Sequence, residues 1–414
     1  PPPPPPPPPL FFFTHNPPPD ILSGLVGSEM CIRDRRNLRE LAWFERNLDA
    51  GVSTLHLDDE RLIAGDWDGG IHCWDLEGER SWSVKTSNRV SNVAIGGDSL
   101  FAVCGRDIVC LNLQSGEIRW EVELEGSSDL VACTPDGSTI LATSSIFDLE
   151  MNDFLESTFW RFNAEGELLR QDSIDERPWS IEMRDDGVAF LALGRPRCGM
   201  IRSEGDGLHH RPLPTSSPAT CGFTGQSHTV IGHADGTLTA IDDGMVMDDD
   251  TYTNQPGPIE SISATEPGFL VAVGIESGVA GAGFGGAQGL ARAYNRKGTL
   301  LWQIETPPGR NIDHVVYGPT ISNNSTAWVV SWDDQLTNIE TRTIPDGNPV
   351  MCVEMESRAN AVVGNPTHLA LGFDDGSVFL LQSDLLTRRL TSDSDSEPDE
   401  HRSNLAEKLR RLRS

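Results

Sequence analysis

Val52-Ser-Thr-Leu-His-Leu57, Leu62-Ile-Ala-Gly-Asp-Trp67, Ile71-His-Cys-Trp-Asp-Leu76 and Ser81-Trp-Ser-Val-Lys-Thr86 are four short runs rich in β-branched and aromatic residues. They are separated by turn residues, which is how consecutive strands of one antiparallel sheet read. Asp68-Gly69 lies between the second and third runs and supplies the positive φ angles that a tight hairpin needs. We therefore take 52–86 as one four-stranded unit, with strands A to D in chain order.

The unit recurs. Val90 to Leu124 repeats it, with Ile108-Val-Cys-Leu-Asn-Leu113 as strand C, Gly116 at the following turn and Trp120 in strand D. Asp235-Gly236 and Asp375-Gly376 mark further B–C hairpins, before Thr237-Leu-Thr-Ala-Ile241 and Ser377-Val-Phe-Leu-Leu381. Self-similarity at about 40 to 45 residues with four strands per repeat is the signature of propeller blades. Units starting near Val52, Val90, Asp129, Pro178, Ala219, Ile259, Ile312 and Ala359 predict an all-β chain. Its fold class is a single β-propeller over 37–387 with about eight four-stranded blades, seven being the alternative count. The last unit lacks strand D. Leu41-Ala-Trp-Phe-Glu-Arg46 is expected to supply it, because Trp43 aligns with Trp82, Trp120 and Trp302 of other D strands. Closing the ring in this way removes exposed sheet edges.

Trp74-Asp-Leu-Glu-Gly-Glu-Arg-Ser-Trp82, Leu113-Gln-Ser-Gly-Glu-Ile-Arg-Trp120 and Tyr294-Asn-Arg-Lys-Gly-Thr-Leu-Leu-Trp302 each place a turn glycine four positions before a tryptophan. In this the chain resembles PQQ-like (quinoprotein-like) repeats, and more broadly WD40-like repeats. The resemblance implies that Trp43, Trp82, Trp120 and Trp302 serve ring closure and blade packing. It also raises a PQQ-dependent oxidoreductase, with PQQ and calcium at the ring's centre and often a disulfide between adjacent cysteines. This chain has no Cys-Cys pair, and no calcium ligand or catalytic Asp maps onto a motif, so no catalytic, cofactor-binding or metal residue is assigned. One superfold hosts many unrelated functions.

Other motifs lead to no chemistry. No CxxC pair stands near a His pair at zinc-ligand spacing. Gly281-Ala-Gly-Phe-Gly-Gly286 matches GxGxxG but is followed by the strand-like Leu290-Ala-Arg-Ala-Tyr294, whereas a phosphate cradle needs a helix N-terminus there. Asp242-Asp243 and Asp248-Asp249-Asp250 lack the spacing of an EF-hand loop. His209-His210 reads as an exposed pair in a D strand, and the sequons at Asn323 and Asn324 matter only on export. A formal charge of -30 repels phosphate backbones and argues against nucleic acid as a partner. Outside the first residues no apolar run reaches the roughly 20 needed to span a membrane.

The ends read differently from the ring. Residues 1–35 open on a proline run, and 25–35 resemble a translated sequencing-library adapter. We expect 1–35 to be foreign to the protein and its native start to be missing, which leaves export open; the scattered thiols favour a cytoplasmic setting. Residues 388–403 are expected to be an acidic disordered linker and 404–414 a short basic amphipathic tail with Leu405, Leu409 and Leu412 on one face.

The function expected from sequence is that of a non-catalytic, monomeric scaffold that presents loops to a protein partner. The alternative is the PQQ-dependent oxidoreductase, or a small-ligand sensor using the channel. Two insertions between strands B and C, Ser145–Ser157 and Glu276–Gln288, nominate Ile146, Phe147, Leu149, Met151, Phe154, Leu155 and Phe284 as partner-binding residues, since apolar side chains on loops held by a rigid frame mark interaction sites. Converging carboxylates, an amide and an Arg at the channel mouth would favour ligand chemistry instead.

Overall fold

A computed structural model describes residues 35–394, except 151–152, 175, 196, 206, 225–228, 243–244, 247–254, 266–267, 277–286 and 296. Its strands form eight sheets, each built on four antiparallel strands. The first consists of Val52–Leu57, Arg61–Asp66, Gly70–Asp75 and Arg80–Lys85. The inner A strands of the next seven are Val90–Gly96, Ser127–Cys133, Pro178–Met183, Ala219–Thr224, Ile259–Thr265, Asn311–Ile321 and Ala359–Gly364. Neighbouring A strands touch all the way round, the eighth against the first. The chain is an eight-bladed β-propeller.

The sequence pattern explains the layering. Strands B such as Ser99–Cys104 and His368–Phe373 are apolar after their first residue and buried at every position, because each is sandwiched between two neighbouring sheets. Strands D lie outermost and alternate, as in Arg80–Lys85. The core is thus a set of layers between blades. Ile63, Ile71 and Trp82 of the first blade pack on Val90, Leu100 and Val109 of the second.

The tryptophan–glycine spacing has a physical cause that crosses blades. Trp82 Nε1 donates to Leu113 O at 2.9 Å, Trp120 to Ala164 O at 2.9 Å and Trp302 to Ile344 O at 2.8 Å. Each acceptor sits at the C–D turn of the next blade. The glycine of that turn, at positive φ, lies against the indole face: a Cβ on Gly116, Gly166 or Gly347 would meet the Trp82, Trp120 or Trp302 ring at 2.6–2.7 Å. The glycine therefore serves the preceding blade's tryptophan.

In the eighth sheet the outer strand is Phe44–Asn47, antiparallel to Ser377–Gln382, with Phe44 opposite Leu380. It is shorter than expected, since Leu38–Leu41 is a turn of helix, α1, capped by Asn37. Trp43 makes the equivalent bond, Nε1 to Leu76 O at 2.9 Å, but stays 42% exposed. Leu38, Leu41 and Phe44 carry the burial instead. Trp43→Ala is therefore expected to cost about 1 to 2 kcal/mol in urea unfolding, one hydrogen bond plus partial burial, rather than the 3–5 kcal/mol of a core aromatic.

Two features extend the ring. Arg35–Arg36 pairs in parallel with Cys352 and Val353 as a fifth strand of the seventh sheet, so Arg35 is the one residue of the segment read as foreign that is described. Helix α2, Ser383–Ser394, continues past residue 387 into the expected linker, because Leu386 and Leu390 pack against the core of blades seven and eight. The basic tail lies outside the described residues. Among those described, no helix is long and apolar enough to cross a membrane.

Candidate functional site at the channel mouth

Every A strand breaks register after its first or second paired residue, and the bulged residue stands at the channel mouth on the face of the B–C hairpins and D–A connections. The breaks fall between Val52 and Thr54, Val90 and Asn92, Ser128 and Leu130, and Pro178 and Ser180, then at the matching places in the other four blades. Bulges re-aim side chains. Here they present hydroxyls or an amide in four blades (Ser53, Ser91, Thr220, Asn360), carboxylates in three (Asp129, Glu260, Asp313) and Trp179 in the fourth blade.

The chemistry of each bulge sets how it meets the next blade. Three of the four hydroxyl or amide bulges reach the carbonyl of the next A strand: Ser53 Oγ to Val90 O at 2.6 Å, Thr220 Oγ1 to Ile259 O at 2.6 Å and Asn360 Nδ2 to Val52 O at 3.1 Å. A carboxylate only accepts, and in two of the three cases it pairs with an arginine just before the A strand of the next blade. Asp129 pairs with Arg177 at 3.0 Å and Asp313 with Arg358 at 2.9 Å. Burial pushes the Asp129 pKa up, against the hydrogen bond from Ser145 and the charge of Arg177. The carbonyls of Arg177 and Arg358 accept from Gly194 and Asp374 in the B–C turns at 3.2 and 2.9 Å, which holds both side chains at the mouth.

Aromatic rings flank this arrangement over blades one to four. The Arg89 guanidinium carbon lies 3.8 Å from the Trp67 ring centre, and that of Arg177 lies 4.8 Å from Trp179 and 4.3 Å from Phe154. Trp67 and Trp179 are each 46% exposed. Beside them rises the third-blade insertion. It is no loose loop: strands Thr139–Asp148 and Asp153–Asn163 stay paired out to Asp148 and Asp153, as suits its aromatic and β-branched residues. Phe147 and Phe154 meet edge to face at 5.0 Å. Ile146 and Phe154 are half-buried, Phe147 and Leu155 exposed, and Leu149 at the tip is 88% exposed. Met151 and Phe284 lie outside the described residues, as does the GxGxxG segment.

Over blades six to eight the mouth is acidic. Glu260, Asp313, Arg358 and Asn360 line a cavity of about 550 Å³, the carboxylates, amide and arginine named above as the mark of ligand chemistry. Most are committed already: Arg358 to Asp313, and Asn360 to Val52 O and the Asp374 carboxylate. Glu260 has no hydrogen-bond or ion-pair partner among the described residues, and burial, then the Asp313 charge, push its pKa up. Among the described residues no three His, Cys, Asp or Glu side chains gather as a metal cluster. The chain has no adjacent cysteine pair.

No family model matches the chain, and no curated protein matches it. Solved structures do. The computationally designed protein Ika8 superposes with a TM-score of 0.60 at 15% identity, covering 81% of this chain and 98% of its own. Sqt1 of Saccharomyces cerevisiae gives 0.61 at 11% identity, covering 82% and 97%, and BamB of Moraxella catarrhalis gives 0.56 at 14%, covering 82% and 98%. At such identities they show the propeller fold and nothing finer. Sqt1 is a WD40-type and BamB a PQQ-like propeller, so neighbours of both kinds of repeat match this ring.

The insertion residues were visible in the sequence, whereas Trp67, Arg89, Asp129, Arg177, Trp179 and Glu260 were not singled out. One signal for them exists. Once the blades are aligned, Arg89, Arg177 and Arg358 fall at one position, immediately before strand A, and the bulged residues fall two places later.

Proposed function

We propose that this propeller is a non-catalytic binding module that engages a protein partner on the face of its B–C hairpins. The observation that carries this reading is the run of aromatics stacked with arginines, exposed Trp67 on Arg89 and exposed Trp179 with half-buried Phe154 on Arg177, beside the apolar hairpin arm. Exposed tryptophan and arginine on a rigid frame are the residue types that dominate binding energy at protein interfaces. Ordered arginine–aromatic stacks lose little side-chain freedom on association. The likeness of the fold to Sqt1 and BamB is compatible with this role and does not specify it.

The test is affinity capture from the native host by the intact ring, followed by direct binding of each captured protein to two variants. One carries Trp67→Ala and Trp179→Ala; the other has 146–155 replaced by Asn-Gly. Both are expected to melt close to the parent and to bind at least tenfold more weakly. Unchanged binding by both variants would sink the reading.

A second reading, small-ligand binding in the channel mouth, is favoured by the cavity at Glu260, Asp313, Arg358 and Asn360. It ranks behind the first because the arginine and the amide are already engaged by neighbouring blades.

A further inference from the structure

Resting on the reading of this face as a binding surface, we propose that its occupant is an extended peptide segment. The segment carries one acidic and one basic side chain and lies across the channel mouth, its carboxylate against Arg89 and its cation against Glu260.

The inference follows from the way bulges pair with the following blade. A carboxylate bulge meets an arginine from the next blade twice, at Asp129–Arg177 and Asp313–Arg358. The scheme fails at two other junctions, with opposite sign. From blade one to two the arginine is present, Arg89, but the bulge is Ser53, which donates to Val90 O instead. Among the described residues nothing accepts a hydrogen bond from the Arg89 side chain, and its Nε is buried without a partner. Stacking on Trp67 at 3.8 Å holds its place, and burial, then the like charge of Arg177, push its pKa down against the charge of Asp129, which is itself bonded to Arg177. From blade six to seven the carboxylate is present, Glu260, but the residue two places before the bulge Asp313, where Arg89, Arg177 and Arg358 stand in their own blades, is Asn311, while Arg310 turns away to Asp333.

Among the described residues the mouth therefore holds one cation and one anion with no hydrogen-bonded or ion-paired side-chain partner. Arg89 enters at blade two and Glu260 at blade six, half of an eight-blade ring apart, so the seats lie on opposite sides of the channel. A guanidinium stacked on indole presents its free N–H fork to a carboxylate. The cavity at Glu260 admits a long cationic side chain. A small zwitterion cannot reach both seats at once, whereas a peptide crossing the mouth does, with Trp67 and Trp179 left to cover its apolar side chains. Nucleic acid offers anions to Arg89 and none of the cations that Glu260 takes, and the chain's charge of -30 opposes it.

The probe is a display library of random twelve-residue peptides selected on the purified full chain. Selected peptides are expected to share an acidic and a basic residue at one fixed spacing, and to bind less tightly as salt rises. Arg89→Gln is expected to weaken a chosen peptide at least tenfold and to abolish its dependence on the acidic residue. Glu260→Gln is expected to do the same for the basic residue, and both variants should melt with the parent. Peptides that need Trp67 and Trp179 but bind both charge variants within twofold overturn the two-seat proposal and leave the binding face standing. Peptides indifferent to every variant on this face overturn both. Failure to enrich any peptide, or tighter binding of a twelve-nucleotide single-stranded RNA, also counts against the proposal.

Discussion

A chain that begins at Asp49 is expected to lose most of the stability of one that begins at Arg35. The truncation removes α1 and the outer strand of the eighth blade, and with them Leu38, Leu41, Phe44 and Leu48, each no more than 9% exposed. A buried apolar side chain of this size stabilises by about 1.5 to 3 kcal/mol, so the four together contribute about 6 to 12 kcal/mol, an upper estimate. That equals the whole stability of a typical domain, about 5 to 15 kcal/mol. The loss also strips Ser377–Gln382 of its partner strand, leaving a bare edge open to aggregation, and removes the Arg46 Nε bond to Gly78 O of the first blade. Thermal unfolding and size-exclusion chromatography read the result, and a peptide of residues 35–48 added in trans should recover part of the loss. Equal melting temperatures for the two chains would refute the role given to this strand. By contrast, a chain that begins at Arg35 should melt with the full chain, as follows from reading the preceding residues as foreign.

Trp82→Ala is expected to cost about 3 to 5 kcal/mol, the range for a buried aromatic, since Trp82 is 7% exposed and bonded to Leu113 O across the blade boundary. Gly116→Ala should cost about 2 to 3 kcal/mol. Part is the strain of an L-residue at φ +71, about 1 kcal/mol, and the rest is a Cβ that meets the indole at 2.7 Å. Gly205→Ala isolates the strain, because Gly205 also has positive φ but nothing within 4 Å of the added Cβ; about 1 kcal/mol is expected there. The double variant of Trp82 and Gly116 should fall short of additivity by 1 kcal/mol or more, since the clash vanishes with the ring. Additive effects in denaturant unfolding would show that the glycine serves its own hairpin and not the neighbouring blade.

The sequence carried the architecture because the repeat writes local information several times over. Alternation, Asp-Gly turns and the glycine–tryptophan spacing each act within a few residues, so blade boundaries such as Val90, Pro178 and Ala359 were readable directly. Trp43 shows the limit of that reading. Its alignment with Trp82 located the cross-blade hydrogen bond, but burial depends on what lies outside the blade, and there Leu38, Leu41 and Phe44 take the buried positions. The hairpin arm was legible as an insertion rich in Ile146, Phe147, Leu149, Phe154 and Leu155, yet its continuation as paired strand follows from register with the blade beneath.

The channel mouth was beyond the sequence altogether. A bulge is one extra residue against a partner strand tens of positions away, so nothing in Ser-Asp-Leu130 or Ile-Glu-Ser261 marks Asp129 or Glu260 as facing the channel. Whether an arginine is neutralised depends on the residue that the neighbouring blade places beside it. Arg89 and Arg177 occupy equivalent sequence positions, and only the packing of blade on blade leaves the first without an ion-paired carboxylate while giving the second Asp129. Local periodicity thus determined the blades, and the pairing of charges between them, a property of residues far apart in the chain, was decided by the closed ring.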